Sequence, residues 1–137
     1  MTPELRGVLE TSLYVGDLER SREFYTRLLS FPVLLQDDRF CALGVCGQVL
    51  LLFRKEATIN PLPTRGGTIP PHGGDGQLHL AFAIGRDELD AWERRLKTHE
   101  VPVESRVDWN RGGKSIYFRD PDGHLLELAT PGVWPIY

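Results

Sequence analysis

The chain has two cysteines and one methionine in 137 residues, and none of its apolar runs exceeds five residues. Cys41 and Cys46 form no CxxC pair, which excludes a disulfide framework and a cysteine-based zinc site. A run such as Val49–Phe53 falls far short of the ~20 apolar residues that a spanning helix needs. The opening Met1-Thr2-Pro3-Glu4-Leu5-Arg6 lacks the basic start and apolar stretch of a signal peptide, so a reduced, cytoplasmic protein without a membrane partner is expected. There is no basic excess either. A net charge of −3 with no Lys/Arg cluster argues against nucleic-acid binding, which depends on neutralising phosphates. With 41% hydrophobic and 26% charged residues, the composition is that of one ordinary globular domain spanning 1–137, which excludes disordered and collagenous chains.

What the chain does have is a repeat. Leu9–Val15 followed by Asp17 corresponds to Leu78–Ile84 followed by Asp87, and Phe31-Pro32-Val33 corresponds to Val101-Pro102-Val103. Further on, Gly47-Gln48-Val49-Leu50-Leu51 corresponds to Gly123-His124-Leu125-Leu126-Glu127. Three matches in order indicate a duplicated supersecondary unit. In residues 8–15, Leu9, Thr11, Leu13 and Val15 alternate with Glu10, Ser12 and Tyr14, the period of a strand with one face on a core. Asp17 then reads as a helix N-cap, Leu18, Phe24, Tyr25, Leu28 and Leu29 as the apolar stripe, and Pro32 as the stop. In the second copy Asp87 caps, Leu89, Trp92 and Leu96 form the stripe, and Pro102 stops the helix. Short strands are predicted near 33–36, 39–44 and 48–54, and again near 103–107, 114–119 and 124–130, with Asp120-Pro121-Asp122-Gly123 turning the last hairpin. Each copy is therefore βαβββ: unit one about 8–54, unit two about 77–131. The class is α+β, with a cupped mixed sheet and helices on the outside. Residues 54–76, holding four prolines and five glycines, read as a connecting loop; a lid carrying His72 is the other reading.

Three polar residues interrupt otherwise apolar strands. Glu10, His79 and Glu127 each lie on the face away from the helix, His79 beside Ala81 and Ala83, and Glu127 beside Leu125 and Ala129. Two carboxylates and an imidazole on such a surface are costly to desolvate unpaired, and a divalent metal is one common remedy. Each residue also has an ordinary reading. A strand histidine is often simply hydrogen-bonded, a strand glutamate is often solvated, and Glu127 has Arg119 and Lys114 nearby to pair with.

The stretches Leu13–Ser21 with Phe24-Tyr25, His79-Leu80-Ala81-Phe82 and Tyr117–Leu128 resemble the vicinal oxygen chelate superfamily, also called the glyoxalase/bleomycin-resistance/dioxygenase family. The resemblance runs roughly from Val8 to Trp134. It implies paired βαβββ units around a divalent metal (Mn, Fe, Ni, Zn or Mg) that chelates two adjacent oxygens of a small oxygen-rich substrate. It also implies metal ligands at Glu10, His79 and Glu127, with Glu10 standing where many members have His. The repeat places Leu51 where glyoxalase I has a fourth ligand. Ser12 and Tyr117 match positions that touch substrate in fosfomycin-resistance transferases, and Tyr14 adds a third hydroxyl on the same face. Trp109 could wall one side of the site, and Lys114 and Arg111 could hold an anion, although solvation alone also accounts for Arg111. With two carboxylates the metal would be a weaker Lewis acid than in the two-His, one-Glu dioxygenases. The function implied is a metal-dependent lyase, isomerase, thiol transferase or dioxygenase. The alternative is a metal-free drug- or metabolite-sequestering protein of the bleomycin-resistance type. A homodimer is expected, since exposed strand edges need covering and the Trp134–Tyr137 tail reads as an end that docks.

Overall fold

Alternation of side chains, more than any other local signal, decides how this chain folds. In the computed structural model, which describes residues 1–137, β1 (Glu10–Val15) buries Leu13 and Val15, while Glu10, Ser12 and Tyr14 take the opposite face. The chain divides into two compact units, Met1–Asp75 and Gly76–Tyr137. The connecting segment therefore belongs to the first unit, which reaches well past residue 54.

In the first unit, α1 (Leu18–Leu28) starts at Asp17, whose carboxylate accepts the Arg20 N–H at 3.0 Å, satisfying one of the orphan donors of a helix start. Its buried side is Ser21, Tyr25 and Leu28, with Leu29 just beyond, and Phe24 is only half-buried. The strands β2 (Val33–Gln36), β3 (Phe40–Val45) and β4 (Gln48–Arg54) complete a sheet of order β1-β4-β3-β2, with β1 parallel to β4. Leu13, Leu52 and Cys41 stand side by side across three strands and are all buried, as are Leu50 and Leu43, and α1 packs against β3 and β4. Burial pushes the Cys41 thiol pKa up. Two expectations fail here. Leu9 is 71% exposed: its carbonyl accepts the Val49 N–H at 2.9 Å, but it stands at the edge of β1, where its side chain is left outside the core. Residues 54–76 are also not bare loop: a 3-10 turn at Lys55–Thr58 leads into a small hairpin of β5 (Leu62–Thr64) and β6 (Gly67–Ile69).

The second unit repeats the plan. The strands β7 (His79–Ala83), β8 (Ser105–Asp108), β9 (Lys114–Arg119) and β10 (Leu125–Ala129) form a sheet of order β7-β10-β9-β8, again with first and last strands parallel. α2 (Leu89–Thr98) contributes Leu96 to a core that includes Ile116, Phe118, Leu126 and Leu128. Asp87 is not its cap. Residues Arg86–Glu88 form a 3-10 turn first, and the Glu88 carboxylate reaches back to the Gly85 N–H at 2.9 Å. The 120–123 turn is as expected: Gly123, at φ +82°, donates to the Asp120 carbonyl, and the Asp120 carboxylate takes the Asp122 and His124 N–H groups. At the C-terminus the Tyr137 hydroxyl donates to the Ile84 carbonyl at 2.8 Å, while Trp134 remains 68% exposed. No helix is long and apolar enough to cross a membrane.

The face assignment in β4 is testable. Leu52 is fully buried under the helix and Leu51 is half-buried on the other face. Leu52→Ala should cost about 2–5 kcal/mol in urea unfolding, and Leu51→Ala distinctly less. Equal losses would place the core wrongly.

Candidate functional site

Matching strand order puts Glu10 and His79 at equivalent points, each the first residue of the first strand of its unit. The centre of the second unit is Glu127 on β10. It lies opposite Tyr117 on β9 and Ala81 on β7, and is only 6% exposed. A carboxylate buried that deeply needs partners, and the structure provides them. The Ser115 hydroxyl donates to Glu127 Oε2 at 2.5 Å, and the Trp109 indole N–H donates in turn to Ser115 at 2.8 Å. Tyr117 is also in hydrogen-bonding reach of Glu127 and Ser115. Its pKa is raised, by burial first and by the adjacent Glu127 charge next, so its phenol stays a protonated donor.

The other carboxylate oxygen, Oε1, faces His79 Nε2 at 3.3 Å. The opposite ring nitrogen, Nδ1, lies 2.9 Å from the Leu125 carbonyl. A carbonyl only accepts, so Nδ1 carries a proton, and Nε2 is the ring nitrogen that faces the carboxylate. A nitrogen and a carboxylate oxygen facing each other in this way are held together by a cation between them, a metal ion or the proton of an imidazolium. Orientation of the histidine through its far nitrogen is also how imidazole ligands to metals are held. The alternative partners of Glu127 are engaged elsewhere: Arg119 binds Glu104, the Gly123 carbonyl and Gln77, and Lys114 pairs with Asp108 at 3.5 Å.

Trp109 is brought to Ser115 by a backbone crossing. Its N–H donates to the Gly113 carbonyl, and Gly113 lies so close to Gly132 that a Cβ would meet backbone at 2.5 Å. Only glycine fits there. Arg111 lies exposed in the turn between β8 and β9. Ser115 is missing from the candidates drawn from sequence. It shares a face with Tyr117 two residues on, so strand period would have found it.

In the first unit Glu10 is exposed and Ser12 half-buried, both on the face away from α1. Tyr14, next on that face, donates to or accepts from His72 Nδ1 at 2.7 Å. The structure thus brings His79 and Glu127 together, and Glu10 belongs to the other unit. No group of three His, Cys, Asp or Glu side chains able to hold a metal forms within the chain.

Ser115→Ala would leave Glu127 Oε2 buried without its donor, a loss of about 1–3 kcal/mol. In a double-mutant cycle with Glu127→Gln, urea unfolding should return a coupling of at least about 1 kcal/mol. Additive losses would mean that the serine does not hold the carboxylate.

Comparison with known proteins identifies the family of the fold. Residues 7–128 match the Glyoxalase/Bleomycin resistance protein/Dioxygenase superfamily. The metallothiol transferase FosB of Staphylococcus saprophyticus is 30% identical over 127 residues, covering 92% of this chain and 78% of that protein. The FosB of Shouchella clausii is 47% identical over 130 residues, covering 92% and 81%. A crystal structure of lactoylglutathione lyase from Agrobacterium tumefaciens superposes with a TM-score of 0.89 at 30% identity, covering 97% of this chain and 99% of that one. The chain belongs to the Glyoxalase/Bleomycin resistance protein/Dioxygenase superfamily.

Proposed function

We propose that this enzyme of the glyoxalase type uses a divalent metal, held by His79, Glu127 and Glu10, to act on a small oxygen-rich substrate in a thiol-linked transfer or lyase reaction. The observation that carries the reading is the His79 Nε2–Glu127 Oε1 pair, an imidazole nitrogen and a carboxylate oxygen 3.3 Å apart with their far sides already anchored. Such a donor pair fits a divalent cation, and the repeat nominates Glu10, the exposed carboxylate at the equivalent position of the first unit, as the third ligand. When bound, the metal supplies Lewis acidity toward two neighbouring substrate oxygens, as in an α-hydroxycarbonyl or a phosphonate.

The protein's own groups do the remaining work. Tyr117, kept protonated beside Glu127, donates a hydrogen bond to charge developing on a substrate oxygen. Ser12 offers a second hydroxyl on the first unit's face. Lys114 and Arg111 give positive charge for an anionic group, and the Trp109 ring, fixed through its N–H, walls the site. Ser115 keeps Glu127 oriented. The thiol-linked reaction is supported by relatives named metallothiol transferase and lactoylglutathione lyase. Two carboxylates balance a divalent charge and weaken the case for oxygen activation. The protein acts as a homodimer in this reading, which the exposed apolar side chains Val33, Leu34 and Leu35 on the edge strand β2 support.

Protein reloaded with Mn, Fe, Ni, Zn or Mg should hold one divalent ion per chain by elemental analysis, and His79→Ala or Glu127→Ala should abolish retention. Glu10→Ala should weaken it. Small phosphonates and hydroxycarbonyls should raise the melting temperature of the loaded form only. A wild-type protein that takes up no metal, yet is stabilised by bulky drugs, is the sequestering protein instead. Light scattering should give twice the 15.5 kDa of one chain.

A further inference from the structure

The segment from Lys55 to Asp75 lies on the first unit, closed on itself by internal bonds and attached through His72 and Gly74 to one end of one face. The His72 N–H donates to the Thr58 carbonyl at 2.9 Å, and its ring meets both the Tyr14 hydroxyl at 2.7 Å and the edge of Phe53, centroids 4.9 Å apart. Gly74 sits against the Tyr14 ring so closely that a Cβ would come within 2.7 Å of Cδ2. Lys55 and Asp75, at the two ends of the segment, pair at 3.6 Å, and Arg39 reaches the Ala57 carbonyl at 3.5 Å.

Beneath these attachments is an aromatic floor. Register places Tyr14, Phe53 and Phe40 side by side across β1, β4 and β3, on the face away from α1, and the rings contact one another in series. The same face is polar at its other end, with Ser12 and then Glu10, which is about 13 Å from Tyr14 at ~3.3 Å per strand residue. A small ligand held at Glu10 does not span that distance. A ligand with an apolar limb does, provided the segment yields the floor to it.

We propose that residues 55–75 form a strap that sets the length of ligand accepted on this face, with His72 as its latch on Tyr14 and Gly74 as the contact that lets it lie flat. Latched, the strap occupies the aromatic end and leaves the Glu10–Ser12 end to a compact oxygen-rich molecule. Released, it exposes Tyr14, Phe53 and Phe40 to an aliphatic or aromatic limb, of the kind carried by a bulky thiol adduct. The proposal rests on the reading of Glu10 as a carboxylate at the ligand site, and deepens it by assigning specificity to residues outside that site.

The test uses the full chain, loaded with Mn(II), and two probes, methylphosphonate and n-octylphosphonate, titrated by calorimetry. Hydrogen exchange across residues 59–76 is followed without ligand and with each probe. His72→Ala should speed exchange in the strap and raise the octyl-to-methyl affinity ratio about fivefold, the population change that one net hydrogen bond of about 1 kcal/mol sustains. Gly74→Val, which crowds the Tyr14 ring while leaving the His72 side chain itself unchanged, should act in the same direction. His72→Asn, which keeps a hydrogen-bonding group near the Nδ1 position, should return the ratio toward wild type. Octylphosphonate, but not methylphosphonate, should deprotect the strap of the wild-type protein. A ratio that stays unchanged in His72→Ala overturns the proposal, as does strap exchange indifferent to both His72→Ala and Gly74→Val. Failure to retain Mn(II), with the strap responses intact, removes the metal reading and leaves the latch standing.

Discussion

The buried carboxylate of Glu127 is the constraint around which the second unit is arranged. Charge in a sheet interior is tolerated only where each lone pair has a donor or a cation. On β10 this side chain is 6% exposed, while its neighbours Leu126 and Leu128 serve the opposite face. One oxygen is met by Ser115, backed by Trp109, and the tight Gly113–Gly132 crossing brings Trp109 within reach. The other oxygen is left facing His79 Nε2. The turn glycines, the strand register and the histidine tautomer are thus all tied to one ionised group.

The sheets were legible in the sequence because their pattern is local. Period-two alternation in β1, β4, β9 and β10 sorts residues between two faces, and the repeat aligns the copies, so Glu10, His79 and Glu127 could be placed on the face away from the helices from position alone. The ends of elements were less legible. Leu9 carries the right residue type for the pattern but stands at the very end of the β1–β4 ladder, where its side chain stays exposed. Asp87 has the right chemistry for a cap, yet a 3-10 turn intervenes and Glu88 takes the local N–H instead. Such a contest between neighbouring acidic side chains is settled by backbone geometry that composition does not encode.

Long-range hydrogen bonds were the least legible of all. His72 and Tyr14 are 58 residues apart, and nothing in a stretch rich in proline and glycine says where it will lie. The Tyr14 candidacy rested on its face alone, which the fold retains, but its hydroxyl has a partner that only tertiary structure provides. Ser115 was missed for a different reason. Its signal, a hydroxyl two residues before Tyr117, was present, but serine is common enough in strands that it draws notice only once the Glu127 carboxylate is seen to need a donor.

Duplication followed by divergence explains why the two units need such different covers. By register, Glu127, Tyr117 and Ser115 correspond to Leu51, Ala42 and Phe40, so the central strands that are polar in the second unit are apolar in the first. The first strands show the reverse: Glu10, Ser12 and Tyr14 in one copy, His79, Ala81 and Ala83 in the other. Polar groups concentrated on β9 and β10 can satisfy one another and need no lid. An apolar patch of Phe40, Leu51 and Phe53 on the corresponding strands has no such recourse, and water against it is unfavourable at roughly 25 cal/mol per Å². The segment after β4 lies over its aromatic end, with Phe53 only 9% exposed beneath it. The proline-rich, glycine-rich chain at that point therefore covers an apolar patch that has no counterpart in the sister sheet, where Ser115 and Glu127 stand at the positions of Phe40 and Leu51.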